Sequence, residues 1–151
     1  MSSLIAAVLG IAAWAAPPGD FTGPGRFCGY SPIIDLAEGE RIEPLVGGIH
    51  AGTFRWEGAF GTLEVAGIGW AARPPGRLLA RPTGKGHARF AQRREEGRYV
   101  VAIWNRGKAA AYFRSAAPMT DAQLEAIQRV DLFEEGQEPQ GCDYRTIFSW
   151  E

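Results

Sequence analysis

Between Ile49 and Glu57, Phe54 and Trp56 alternate with Thr53, Arg55 and Glu57. This is the period-two pattern of a strand that buries one face. Similar segments recur along the chain with glycines between them. Phe27 to Leu36 reads as a strand closed by the turn Ala37-Glu38-Gly39-Glu40, Arg41 to Val46 as the next, and Thr62 to Trp70 as another after Gly58 and Gly61. Pro44 has no N–H for a ladder, so Arg41 to Val46 is expected at a sheet edge or a bulge. After a long connection, His87 to Arg94, Arg98 to Trp104 and Lys108 to Arg114 read as an antiparallel meander. Gly97 and Gly107 stand where three-residue hairpin loops take a left-handed residue. Tyr99 to Trp104 is apolar on both faces, which places that strand inside the sheet. A last strand is expected from Cys142 to Trp150.

The pattern changes after Met119. Thr120 and Gln123 have the spacing of a capping box, in which each side chain satisfies the other's backbone N–H. Leu124, Ile127, Val130 and Phe133 then form a helical stripe, leaving Glu125, Gln128 and Arg129 towards water. The fold class that follows is α+β: a largely antiparallel β-sheet of about six to eight strands with one C-terminal helix packed on it.

The N-terminal end differs from the rest. Leu4 to Ala16 is thirteen residues without a charged or amide side chain. A membrane helix needs about 20 apolar residues, whereas the core of a signal peptide needs only about 7–15. Ala13-Trp14-Ala15 supplies small residues at the two positions a signal peptidase reads, although Lys and Arg are missing before the apolar run. The division expected is therefore residues 1–15 as signal peptide, 16–26 as linker and 27–151 as a single domain, with no transmembrane span in the mature chain. Gly25-Arg26-Phe27 before Cys28 does not resemble a lipobox. Cys28 and Cys142 then remain near opposite ends of the mature chain and are expected to pair, tying the N- and C-terminal strands. A disulfide requires an oxidising compartment, so both features point to a periplasmic or secreted protein.

Candidate chemistry is sparse. His50 and His87 are the two histidines, and neither a His-Glu-x-x-His helix nor a Cys-x-x-Cys pair occurs; no metal or other cofactor is expected. Gly84-Lys85-Gly86 lacks the Ser or Thr and the following helix of a phosphate-binding loop and reads as a turn. No Gly-x-Ser-x-Gly elbow is present. A small periplasmic hydrolase would have to use His50 or His87 with carboxylates such as Asp35 or Glu57.

Charge is distributed unevenly. Ten basic residues and two acids lie between Arg73 and Lys108, and seven acids and one base between Asp121 and Asp143, within a chain of net charge −1. Arginine outnumbers lysine fourteen to two, which suits bidentate contacts to phosphate or carboxylate. Arg73, Arg77, Arg81, Lys85, Arg89 and Arg93, with Arg94 and Arg98 beyond them, form a candidate surface for an anionic envelope glycan, a lipid head group or an acidic protein. Nucleic acid is disfavoured outside the cell. The bland alternative is that these arginines face the acidic helix and the loop from Glu134 to Asp143 within the fold. Trp56, Trp70, Trp104 and Trp150 all fall on expected strands and read as core residues. The function expected is a non-catalytic binding or inhibitor-like domain. A structural accessory of the cell envelope is a further alternative.

Overall fold

The computed structural model describes residues 19–48, 50–79, 87–106, 109–133 and 139–145. In chain order these form β1 (Phe21–Thr22), β2 (Gly25–Cys28), β3 (Pro32–Leu36), β4 (Arg41–Gly47), β5 (Ala51–Gly58), β6 (Gly61–Gly69), β7 (Ala88–Arg89), β8 (Arg93–Glu95), β9 (Arg98–Trp104), β10 (Ala109–Ser115), α1 (Asp121–Gln128), β11 (Asp131–Leu132) and β12 (Tyr144–Arg145). The larger sheet has the order β1-β4-β5-β6-β10-β9-β7, with β8 also on β9. The smaller has the order β11-β3-β2-β12. Pairing is antiparallel except for β12 on β2. The chain is therefore α+β, mostly antiparallel sheet with one helix near its C-terminal end, and the Cys28–Cys142 disulfide links the N- and C-terminal strands.

The core follows from the period-two pattern. Phe54, Val65, Phe113 and Val101 lie in register across β5, β6, β10 and β9, and each is at most 1% exposed. Trp56 and Leu63 form the next row. Phe27, Ile34 and Leu36 from the smaller sheet, with Ala126 and Ile127 from α1, close over this inner face. Interior placement of β9 agrees with its double-sided apolar sequence: β10 flanks it on one side, β7 and β8 on the other, and Val100 to Ile103 are all buried.

Several elements differ from the sequence reading. Phe27 to Leu36 is not one strand but the hairpin of β2 and β3, because Gly29 and Pro32 punctuate it. Gly29 N–H donates to Pro32 C=O at 2.9 Å. The turn carries Tyr30 onto a bed of glycines, where a Cβ on Gly47 would lie 2.0 Å from the Tyr30 hydroxyl and one on Gly52 only 1.8 Å from its ring. Phe21–Thr22, read from the sequence as linker, pairs with Arg41 and Ile42 at the sheet edge. Pro44 does sit at a register shift in β4.

His87 to Arg94 is divided as well. Phe90 N–H donates to Ala102 C=O, yet Arg93 pairs with Val100, so one extra residue makes a bulge between β7 and β8. The β8–β9 loop is the two-residue turn Glu96-Gly97, shorter than expected, with φ of 50° and 80°. Both central residues of this tight hairpin turn are left-handed. The capping box of Thr120 and Gln123 is present, but α1 ends at Gln128. Beyond it Val130 and Leu132 are buried while Asp131 and Phe133 are half-buried, a strand alternation that pairs β11 with β3. Of the last expected strand, Tyr144 and Arg145 form β12, and residues 146–150 lie outside the described residues. The expected signal peptide also lies outside them.

Candidate functional site

The basic segment wraps one edge of the larger sheet. From Gly69 the chain crosses the outer face of β9, where Trp104 Nε1–H donates to Ala71 C=O at 3.3 Å and Arg73 stands 5.4 Å over the Phe90 ring. It then turns at Gly76, φ 110°, a conformation that favours glycine. Leu78 returns beside β7 to bridge Phe90. Arg73, Arg77 and Arg94 are exposed and Arg89 is half-buried. Arg81 and Lys85, named from the sequence with these, lie outside the described residues.

Ion pairs sort the arginines into two groups. Arg41 meets Asp20 and Glu57, Arg55 meets Glu43, Arg93 meets Glu95, and Arg98 and Arg114 share Glu64. These acids lie on neighbouring strands or close in sequence, not on the acidic helix. Arg73, Arg77, Arg89 and Arg94 have no carboxylate partner among the described residues. Arg94 stacks on Tyr99 at 5.3 Å. Among the described residues, no arginine of this edge pairs with Asp121, Glu125, Asp131 or Asp143, while Glu134, Glu135 and Glu138 lie outside them. The cross-link of that kind found among the described residues is through a histidine.

That histidine is His87, 5% exposed, whose Nε2 lies 2.6 Å from Asp131 Oδ1. Leu132 N–H is within reach of both, at 3.0 Å from Nε2 and 2.8 Å from Oδ1. With Nε2 protonated, the Asp131 oxygen accepts from the imidazole and the amide together, so the pair pins β11 against the strand edge at β7. The sequence reading missed Asp131 because 44 residues separate it from His87 and only the β11–β3 pairing brings it there. His50 is exposed at the far end of β5 from Glu57, about 23 Å along a strand rising ~3.3 Å per residue. Glu57 accepts from Arg41 at 2.6 Å. Asp35 takes two hydrogen bonds from the Arg26 guanidinium, at 2.7 and 3.0 Å, and hydrogen bonding to Asp35 raises the Arg26 pKa.

A second buried polar group is structural. Glu40, 6% exposed, accepts from Trp56 Nε1–H and from Ala37 N–H, each at 3.2 Å. It also pairs with Arg129, which donates to Asp35 C=O and lies over the Trp56 ring. This ties the end of α1 to both sheets. Trp56 is core as expected, and Trp104 is half-buried. Trp70 is not core: it is 68% exposed with φ 59°, because β6 ends at Gly69 and the chain reverses there. Trp150 lies outside the described residues.

Among the described residues, no three His, Cys, Asp or Glu side chains converge as metal ligands, and no helix is long and apolar enough to cross a membrane. No protein-family model, curated protein or solved structure matches the chain.

Proposed function

We propose that this protein is an exported, disulfide-held binding module that engages an anionic partner through the arginine-rich edge formed by residues 73–98. One observation carries the reading: Arg73, Arg77, Arg89 and Arg94 gather at this edge with no carboxylate partner among the described residues, while the other sheet arginines named above are matched to acids. Unmatched arginines on a chain of net charge −1 make a local positive field that overall composition conceals. Export is supported by the Cys28–Cys142 bond, which persists in oxidising compartments, and by the signal-like sequence of residues 1–15.

Retention on a sulfated-polysaccharide resin tests the surface. Replacing Arg73 and Arg77 together by Ser is expected to lower the salt concentration needed for elution, with the far-UV spectrum unchanged. Replacing the matched pair Arg41 and Arg55 by Ser removes the same charge elsewhere and is expected to move elution much less. Equal shifts for the two double variants would show that net charge alone governs retention, and the proposed surface would be abandoned.

A further inference from the structure

The outermost stretch of the basic edge has a defined register. Leu79 N–H donates to Arg89 C=O and Ala91 N–H to Arg77 C=O, each at 2.9 Å, on either side of the Leu78–Phe90 bridge. Alternate residues of such a pairing share a face, so Leu78 and Phe90 point one way and Arg77 and Arg89 the other. Arg77 is across from Ala91, which makes Arg77 and Arg89 diagonal neighbours with Cα atoms roughly 7–8 Å apart. Two long guanidinium side chains on that spacing can meet at one point.

Each arginine lacks something. Arg77 is exposed and has no ion pair among the described residues. Arg89 is half-buried, and its Nε is enclosed without a hydrogen-bond acceptor among the described residues. Burial lowers the Arg89 pKa and no carboxylate raises it, yet a guanidinium stays charged. A partly desolvated cation without a counter-charge is costly, and a like-charged diagonal neighbour adds to the cost. A bound dianion would offset both terms.

Resting on the binding-module reading above, we infer that Arg77 and Arg89 form a two-arginine clamp for a terminal phosphate, either free or as a monoester on a larger molecule. Two guanidinium groups present two positive charges and several N–H donors. A monocarboxylate has one charge and two oxygens, and a single arginine fork satisfies it. A terminal phosphate carries close to two charges and three or more acceptor oxygens, which matches two forks.

Titration of the uniformly nitrogen-15-labelled, disulfide-bonded chain with inorganic phosphate tests the clamp by nuclear magnetic resonance, with sodium chloride at matched ionic strength as control. The Arg89 Nε–H resonance is identified by its loss in Arg89→Lys. It is expected to shift saturably with phosphate but not with chloride, and Arg77→Ser is expected to weaken the midpoint tenfold or more. Arg41→Ser, which removes a matched arginine towards the opposite edge of the sheet, should change it less than twofold. Vesicles of phosphatidic acid in phosphatidylcholine form the second arm. Retention on vesicles that Arg77→Ser abolishes assigns the clamp to a membrane-borne monoester, and a response to inorganic phosphate alone assigns it to a soluble phosphate. A chloride-like drift in phosphate, or a saturable shift indifferent to Arg77→Ser, overturns the clamp. If resin retention still depends on Arg73 and Arg77 in that case, the broader anionic surface stands without it; if neither effect is seen, both readings fall.

Discussion

The Tyr144 ring stacks on Phe27 with centroids 5.3 Å apart and lies 5.5 Å from Phe21. Its hydroxyl is buried without a hydrogen-bond partner among the described residues. Burial, with smaller contributions from Tyr30 and Asp20, pushes the phenol pKa up to about 12. A phenol that ionises later in the folded than in the unfolded chain binds more protons when folded. Its contribution to stability is therefore complete below about pH 10, where the unfolded phenol titrates, and is lost as pH rises towards 12. Tyr144→Phe keeps the stacked ring and removes the unpartnered hydroxyl. Stability at pH 7 is expected to stay level or rise by about 1 kcal/mol, and the decline between pH 10 and 12 to become shallower. Denaturant melts of both proteins across that range check the sign. A clear loss at pH 7 would mean that the hydroxyl has a partner.

Packing of the β2–β3 turn on the larger sheet is an element-scale fit. Gly47, Gly52 and Gly67 lie on neighbouring strands β4, β5 and β6, and Gly52 pairs with both of the others. The Tyr30 ring occupies the space where side chains on Gly47 and Gly52 would be, and Pro32 Cδ lies 2.6 Å from where a Cβ on Gly67 would be. Gly52→Ala must displace the ring, and overpacking of this kind costs about 1–3 kcal/mol. Removing the ring should relieve the clash. In a double-mutant cycle, Tyr30→Ala and Gly52→Ala are expected to couple by about 1 kcal/mol or more, the double variant losing less than the sum of the singles. Strictly additive losses in urea melts would show that the glycine accommodates something other than Tyr30.

Across the whole molecule, the two ends of the described fold are held together. Cys28 in β2 bonds Cys142 beside β12, 114 residues away, and Tyr144 pairs with Phe27 in the same place. Asp143 adds to the join by accepting from Arg26 N–H at 2.7 Å. Closing a loop of this size stabilises by about 4–5 kcal/mol in the chain-entropy model. Among the described residues, β12 contributes two residues to its ladder. Replacing both cysteines by Ser is expected to lower the unfolding free energy by about that amount, with the first hydrogen-exchange protection lost at β12 and β2. Chemical denaturation with and without reductant, and intact mass after thiol blocking, measure the effect. A loss below about 1 kcal/mol would show that the pairing and Arg26–Asp143 contacts hold the ends without the covalent bond.

Local chemistry was enough to read the elements whose structure depends on neighbours in sequence. The alternation of Phe54 and Trp56 located β5, the Thr120–Gln123 spacing located the start of α1, Pro44 marked the β4 bulge, and the placement of two cysteines near the ends anticipated the disulfide. These signals arise from side-chain periodicity, turn stereochemistry and hydrogen bonds spanning a few residues. Other features depend on what lies across the fold. Val130 fits both the helical stripe it shares with Ile127 and Phe133 and a strand alternation with Leu132, and only the open edge of β3 selects the strand. Asp131 becomes the partner of His87 by the same pairing. Trp70 is exposed because the chain leaves the sheet at Gly69, and nothing in its immediate sequence distinguishes it from Trp56. The division of the arginines into matched and unmatched groups is likewise tertiary. It depends on which strands become neighbours, since a charge finds its counter-charge through space.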